Sequence, residues 1–323
     1  MRSTVRAFVA ALLALAAAAP VSAQTYPSQT IRVVVAYAPG GTGDIVARLI
    51  AVPLAAALGQ NVVVENRAGA TGAIGTQAVV SAQPDGHTLL LGQTGEISIN
   101  QHWIKGLTYD THKDLQPIAL ASVVPLALVV GAKAPSSTMA EMAAALRSGK
   151  PLTFASAGTG TPGHFAGEFL KLKTKGNLTH VPYKGAGPAL NDLLGGHVDM
   201  YFPGFPAVTP HLKSGTMKIL AVSSARRSGA APNIPTVAEA ISDPNFDLTL
   251  WQGFFAPRDT PKAIVERLNA EINKILVSSD MQAKLRDAGA DVRTTSTEQF
   301  AAFVKAESDK YLQIIKESGV KPE

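Results

Sequence analysis

The chain repeats one local pattern in two separate blocks: a β-branched strand, a glycine-rich loop and then an amphipathic helix. Residues 31–36 (IRVVVA) run directly into the loop 39–44 (PGGTGD), and the apolar residues that follow are spaced three to four apart. Residues 152–156 begin the same pattern again, with a loop at 157–164. Strands that alternate with helices are typical of a parallel sheet with helices on its faces, so we predict an α/β fold.

Two apolar segments are placed where the chain would pass from one block to the other. The first is 118–130, which Pro125 interrupts, and the second is the strand 217–223. A length of 323 residues also exceeds what one domain of ordinary size needs. We therefore predict two domains. They are 24–124 together with 224–323, and 125–223.

The first 23 residues have the pattern of a secretory signal peptide. Arg2 and Arg6 form a basic start, residues 7–19 are uncharged and apolar, and Val21-Ser22-Ala23 is a small-residue cleavage site. Thirteen helical residues span about 20 Å, which is too short for a membrane anchor. We predict cleavage after Ala23 and a periplasmic location in a Gram-negative bacterium. Since the chain has no cysteine, we expect no lipid anchor attached through one.

Composition and missing motifs argue against most other classes of protein. The absence of cysteine excludes disulfides, thiolate metal sites and a cysteine nucleophile. Neither GxSxG, HExxH nor GxxxxGK[ST] occurs, and the GxGxxG at 158–163 lacks the acidic residue that a dinucleotide site needs about 20 residues later. The net charge of +5 is scattered rather than clustered. We expect no enzyme activity, no cofactor, no metal and no nucleic acid.

The glycine-rich loops are candidate anion sites. The first turn of a helix has unpaired N–H groups and a partial positive charge, and glycine lets an anion approach that backbone closely. Loops of this kind lie at 39–44, 68–72, 156–161 and 185–187, with hydroxyl side chains nearby. The alternative is that each glycine only makes a tight turn. Asp44 either borders its helix or holds a donor group of the ligand, and His164 either orients its loop and packs or acts as a base.

Several longer stretches carry a family resemblance. They are YPSQTIRVVVAYAPGGTGDIVAR, VVVENRAGATGAIGT, PDGHTLLLG, FASAGTGTPGHFAGEFL, VPYKGAGPALNDLLGGHVDMYF and WQGFFAPRDTPKAIVERLN. In this order they resemble the Bug family, the substrate-binding proteins of tripartite tricarboxylate transporters. The resemblance runs from Tyr26 to the C-terminus. It implies a type II periplasmic-binding-protein fold, in which two α/β domains joined by two hinge crossovers hold a small carboxylate in the cleft between them.

The resemblance also implies a set of ligand-binding residues, a function and partners. We expect a monomer that presents its ligand to a membrane permease with one large and one small subunit. One alternative is a receptor that presents the ligand to a sensor kinase. The other, less in keeping with the motifs, is an enzyme that acts on a small carboxylic acid. Glu96, if it lies near the cleft, would disfavour a second carboxylate or favour an amine. The expected ligand-binding residues are Pro39, Gly40, Gly41, Thr42, Gly43, Asp44, Ala70, Thr71, Gly72, Thr94, Ser156, Ala157, Gly158, Thr159, Gly160, Thr161, His164, Tyr183, Lys184 and Asp199.

Overall fold

The strands form two separate mixed sheets, flanked by helices. The computed structural model describes residues 26–229 and 231–321, so the predicted signal peptide lies outside the described residues. The first sheet has six strands and the second has five. The strands are β1 Ile31–Val35, β2 Val62–Asn66, β3 Thr88–Gln93, β4 Leu115–Pro125, β5 Ala127–Gly131, β6 Leu152–Ser156, β7 Leu178–Pro182, β8 Met200–Tyr201, β9 Met217–Val222, β10 Thr249–Pro257 and β11 Asp291–Val292.

The helices connect these strands and cover the faces of both sheets. Short 3₁₀ turns at Ala70–Gly72 and Phe205–Ala207 and a π-helical turn at Gly95–Ile99 interrupt the loops. No helix in the described part of the chain is long and apolar enough to cross a membrane. The helices are α1 Thr42–Leu58, α2 Ala73–Val80, α3 Asn100–Trp103, α4 Thr111–Asp114, α5 Met139–Arg147, α6 Pro162–Thr174, α7 Ala186–Gly195, α8 Thr209–Lys213, α9 Val237–Ile241, α10 Lys262–Leu276, α11 Ser279–Asp287 and α12 Thr297–Ser318.

The first sheet has the order β11-β4-β10-β3-β1-β2. Strand β1 pairs in parallel with β2 and β3, as the repeated strand–loop–helix pattern predicts. Strand β10 runs antiparallel between β3 and β4, so the sheet is mixed rather than parallel throughout. The reason is that β10 enters this sheet on the return from the second one, in the opposite direction to β3.

Alternate residues of the first sheet pack on opposite faces. Val33 and Leu91 lie in the core formed with α1 and α10, and Val34 and Leu90 lie in the core formed with α2 and α12. This period-2 division fixes which side of the sheet every side chain of β3 and β10 occupies. It also fixes the side chains at the strand ends, where the candidate site lies.

The second sheet has the order β7-β6-β8-β5-β9. Strand β6 is parallel to both β7 and β8, whereas β5 is antiparallel to β8 and β9. Because β6, β7 and β8 point the same way, the loops after these three strands lie along one edge of the sheet.

The two passages between the sheets lie side by side. Leu126 alone separates β4 from β5. Ser223, which follows β9, donates its N–H to the Leu126 carbonyl at 2.9 Å, and its Oγ accepts from the Leu126 N–H at 2.9 Å. Hydrogen bonds between the passages keep them together, so a relative rotation of the sheets would be concentrated in a few residues here.

Residues 236–248 pack on the second sheet, although the predicted boundaries assign 224–323 to the first domain. Phe246 stacks on Phe169 of α6 with ring centroids 5.5 Å apart, and the ammonium group of Lys173 lies 3.0 Å from a carboxylate oxygen of Asp243. The segment that includes α9 therefore covers helices of the second sheet before the chain returns to the first.

Candidate functional site

Loops from the two sheets face each other and touch. On one side are 39–44, 70–72 and 93–96, which follow β1, β2 and β3, and on the other are 156–161, 183–187 and 203–204, which follow β6, β7 and β8. Thr71 Oγ1 donates to the Thr159 carbonyl at 3.3 Å, and a Cβ added to Gly204 would lie 2.6 Å from Thr42 Oγ1. We call the space bounded by these six loops the inter-sheet cleft.

The loop 39–44 is shaped by Asp44. One carboxylate oxygen accepts from the Gly40 N–H at 3.0 Å, and the other accepts from Arg48 Nε at 3.0 Å. Burial alone would raise the pKa of Asp44, but the hydrogen bonds from Arg48 and Gly40 hold it below its ordinary value. Asp44 is thus an ionised residue in the first turn of α1, and it fixes the turn through Pro39, Gly40 and Gly41.

The turn 70–72 has a strained backbone, and hydrogen bonds to the Thr71 carbonyl hold it in place. Ala70 and Thr71 have φ of 46° and 50°, in the left-handed region that residues with a Cβ rarely adopt. The Thr71 carbonyl accepts hydrogen bonds from Asn100 Nδ2 at 3.0 Å and from Tyr37 Oη at 3.4 Å. These contacts from buried polar groups hold the turn in a conformation that directs the Thr71 hydroxyl toward the second sheet.

Three helices begin at the cleft with a glycine and without a side-chain cap. The N-cap residues of α1, α2 and α7 are Gly41, Gly72 and Gly185, and none of the three helices has a side-chain hydrogen bond at its N-cap. Away from the cleft, α5, α11 and α12 have the usual hydroxyl caps from Thr138, Ser278 and Ser296. The first-turn N–H groups of the three glycine-started helices are therefore left available to an anion.

In the loop 156–161 the side chains hold the backbone. Ser156 Oγ accepts from the Gly158 N–H at 3.1 Å and donates to the Gly158 carbonyl, which also accepts from Thr161 Oγ1 at 2.7 Å. His164 Nδ1 accepts from the Gly160 N–H at 3.2 Å. Ser156, Thr161 and His164 thus act on this loop, and its remaining surface toward the cleft is formed by the backbone around Ala157 and Thr159.

His180 is part of this arrangement and was not predicted from the sequence. Its Nε2 lies 2.7 Å from Ser156 Oγ, and its ring stacks between Phe154 and His164, with centroids 4.8 and 4.1 Å away. Burial lowers the pKa of His164 to about 3 and that of His180 to about 4, so both rings are neutral near pH 7. The only indication in the sequence would have been its position in β7, opposite Phe154 in the parallel register.

The Ser156–His180 pair is not arranged as a nucleophile and base. Ser156 is completely buried, and its oxygen already contacts both backbone groups of Gly158. Trp103 of α3 also closes this region, packing edge-on against His164 with ring centroids 5.6 Å apart. The pair therefore serves to shape the loop, which agrees with the first of the two alternatives for His164.

The other residues predicted to bind the ligand from the side of the second sheet do not all lie at the cleft. The Tyr183 hydroxyl donates to the Asp192 carboxylate at 2.6 Å, and Lys184 beside it is exposed. Asp199 is misplaced in the prediction: it precedes β8 and accepts from the N–H and hydroxyl of Thr153 near the start of β6. It therefore lies at the amino ends of these parallel strands, on the edge opposite the cleft.

Thr94 and Glu96 are both buried just after the end of β3. Thr94 Oγ1 donates to the Thr249 carbonyl at 3.3 Å and accepts from the Trp251 N–H at 2.9 Å, so this residue holds β3 against β10. Glu96 Oε1 accepts from the Gln93 N–H at 2.7 Å, and burial raises the pKa of Glu96 to about 8. Since the carboxyl group is mainly neutral at pH 7, the expected repulsion of a second carboxylate does not follow.

Gln93 faces the cleft where Thr94 was predicted to do so. A Cβ added to Gly43 would lie 2.6 Å from Gln93 Nε2, so the carboxamide rests against the first turn of α1. Across the described ranges, no cluster of three or more His, Asp or Glu residues could hold a metal ion. The site therefore combines helix N-termini and backbone with the neutral side chain of Gln93, while the ionised Asp44 is already paired with Arg48 and the Gly40 N–H.

Sequence and structure comparisons identify the family. The profile of the tripartite tricarboxylate transporter family receptor, TctC, matches residues 46–320. The chain belongs to the TctC family. It is 36% identical over 307 residues to protein BugT of Bordetella pertussis, with 94% of each chain covered.

Solved TctC-like structures have the same fold. The periplasmic binding protein BugD has a TM-score of 0.84 and 34% identity, and covers 92% of this chain and 100% of its own. The R. palustris protein Rpa4515, solved with adipate, has a TM-score of 0.88 and 33% identity, with the same two coverages. These neighbours are binding proteins rather than enzymes, and the predicted periplasmic-binding-protein fold is confirmed.

Proposed function

We propose that this TctC-family solute-binding protein captures a small carboxylate in the inter-sheet cleft. The observation that carries the proposal is the convergence of α1, α2 and α7, each of which starts at an uncapped glycine. A carboxylate placed there would accept hydrogen bonds from backbone N–H groups and interact favourably with the positive ends of the helices. The adipate bound to Rpa4515 belongs to the same chemical class.

Neutral donors are sufficient for useful affinity. A micromolar Kd corresponds to about −8.2 kcal/mol. Hydrogen bonds to a charged group contribute roughly 1.5–3 kcal/mol each, so about four to six would supply this after the costs of ordering. Specificity would then depend on shape and on the polar groups that surround the rest of the ligand.

The proposed location is the periplasm, and the proposed partner is a tripartite tricarboxylate permease. The signal-peptide pattern of residues 1–23 and the receptor description of the matching family support this assignment. A strain that lacks the gene should lose uptake of the radiolabelled ligand, and expression of the intact gene should restore it. Normal uptake in the deleted strain would contradict the transport role.

The binding role is tested with purified mature protein and a panel of carboxylates in calorimetry. The panel contains butyrate, succinate, malate, hexanoate and adipate. At least one should bind with a Kd in the micromolar range, and NMR after prolonged incubation should show that this compound is chemically intact. Failure of every acid to bind, or turnover that depends on Ser156, would overturn the proposal.

A further inference from the structure

Three polar side chains form a row across the first sheet at the edge of the inter-sheet cleft. Gln252 of β10 lies opposite Ser122 of β4 on one side and opposite Gln93 of β3 on the other. Directly opposite residues of antiparallel strands place their side chains on the same face, with Cβ atoms about 5 Å apart. Ser122 and Gln252 are completely buried, and Gln93 is 5% exposed.

This row continues a face that is otherwise apolar. Phe254 follows Gln252 on the same side of β10, and Leu91 precedes Gln93 on the same side of β3; Phe254 and Leu91 both belong to the core formed with α1 and α10. Apolar residues at these positions would simply have extended that core. Carboxamides occur instead where the sheet reaches the cleft, next to the uncapped start of α1.

The hydrogen-bonding capacity of the row is only partly used. The Ser122 hydroxyl donates to Gln252 Oε1 at 2.6 Å, whereas Gln252 Nε2 is buried with no partner among residues 26–229 and 231–321. Ser122 can satisfy only one end of this carboxamide, whichever way the amide is turned. The Gln93 carboxamide also makes no hydrogen bond within the part of the chain that the structure describes, but it differs from Gln252 Nε2 in being slightly exposed, at the start of α1.

Unpaired amide groups are costly in a buried environment unless a ligand pairs with them. Two carboxamides carry no net charge, and their N–H groups suit an oxygen acceptor such as a hydroxyl or carboxylate. A site built to hydrogen-bond such a group discriminates strongly against an analogue that lacks it.

We propose that Gln93 and Gln252 determine specificity by hydrogen-bonding a second oxygen-bearing group of the ligand. This inference rests on the proposed function: the first carboxylate binds at the helix N-termini, and the second polar group reaches the row. The preferred ligand is therefore a small acid with a hydroxyl or carboxylate in addition to the first carboxylate, rather than a simple monocarboxylate.

The test compares probes that differ in that second group. Calorimetry is carried out with butyrate, succinate and malate as one set and with hexanoate and adipate as another. The wild-type protein should bind the best doubly oxygenated member at least tenfold more tightly than the monocarboxylate of its set. In Gln93→Leu and Gln252→Leu this ratio should fall to within about threefold, through weaker binding of the doubly oxygenated acid.

The matched control is Gln282→Leu, because Gln282 is an exposed glutamine on α11. It should keep the wild-type ratio. Gln93→Glu gives a second readout that does not depend on packing, since an acidic side chain should weaken succinate or adipate more than the monocarboxylate.

The outcomes separate the two proposals. If the wild-type protein shows no preference within either set, or if the leucine variants retain it, the specificity role is wrong while carboxylate binding stands. If no probe binds to the wild-type protein, carboxylate capture itself fails, and the specificity role fails with it.

Discussion

Thr71 Oγ1 donates a hydrogen bond of 3.3 Å to the carbonyl oxygen of Thr159, and this bond joins the loop after β2 to the loop after β6. The described conformation is therefore one in which the two sheets are in contact across the cleft. A ligand that touches both loops binds such a state better than an open one and shifts the population toward it.

Removal of the Thr71 hydroxyl should weaken the closed state. Thr71→Val keeps the size of the side chain but loses one neutral hydrogen bond, which is worth about 0.5–1.5 kcal/mol. The expected result is an approximately three- to tenfold weaker affinity for the best carboxylate in calorimetry. Thr216→Val, at an exposed hydroxyl just before β9, is the control, and equal affinities in both variants would contradict a role in closure.

Binding should also make the protein more compact. In small-angle scattering, saturation with the same carboxylate should reduce the radius of gyration of the wild-type protein. The reduction should be smaller for Thr71→Val at equal ligand concentration. An unchanged radius of gyration in the wild type would mean that ligand binding does not draw the two sheets together.

A side chain at Gly41 should block the anion site without disturbing the fold. Gly41 has φ of −77° and ψ of 169°, and an added Cβ would meet only the Ala38 carbonyl at 3.6 Å, an ordinary contact. Gly41→Val should therefore fold normally yet lower the carboxylate affinity at least tenfold, since its methyl groups lie at the start of α1. The affinity of Gly41→Ala should lie between those of the wild type and Gly41→Val. An unchanged affinity in Gly41→Val would show that this loop is not part of the site.

Much of the architecture follows from local sequence patterns, because a strand, a glycine-rich loop and a helix are recognised from neighbouring residues. The direction of β10 is different, since it depends on how the chain returns from the second sheet. Packing of residues 236–248 on that sheet, through Phe246 and Asp243, is likewise a long-range contact with no local signal.

The candidate site shows the same division between local and distant information. The loops at the carboxyl ends of β1, β2, β6 and β7 were predicted, but the direction of individual side chains was not. Strand β3 extends to Gln93, so period-2 alternation places the Gln93 side chain at the cleft and directs that of Thr94 toward β10. Contact between Ser156 and His180 required the register of β6 with β7.

Glu96 should make the stability fall as the pH rises. Burial raises its pKa in the folded protein to about 8, above the ordinary 4.5, so between these values the folded protein holds a proton that the unfolded chain has lost. Unfolding then becomes easier by about 1.4 kcal/mol per pH unit as the pH increases. Glu96→Gln should have a higher Tm than the wild type at pH 8, and the difference should shrink toward pH 4.5.

The control for this effect is Glu266→Gln, which changes an exposed carboxylate on α10. It should leave the pH dependence of Tm as in the wild type. A constant Tm difference between Glu96→Gln and the wild type across this pH range would show that Glu96 loses its proton as readily in the folded protein as in the unfolded chain, which would contradict the raised pKa.

The two stacked histidines should have the opposite dependence on pH. Burial lowers the pKa of His164 to about 3 and that of His180 to about 4, so in the folded protein both rings are neutral at pH values where the unfolded chain binds protons. Stability is therefore lost as the pH falls below about 6.5, by about 1.4 kcal/mol per pH unit for each histidine. His180→Gln keeps a group that can hydrogen-bond Ser156 but cannot titrate, so its Tm should fall less steeply between pH 6.5 and 4 than that of the wild type.

His112→Gln, at an exposed histidine of α4, is the control, and its Tm should have the same pH dependence as that of the wild type. Identical slopes for all three proteins would mean that His180 accepts a proton as readily in the folded protein as in the unfolded chain, which its stacking between Phe154 and His164 argues against.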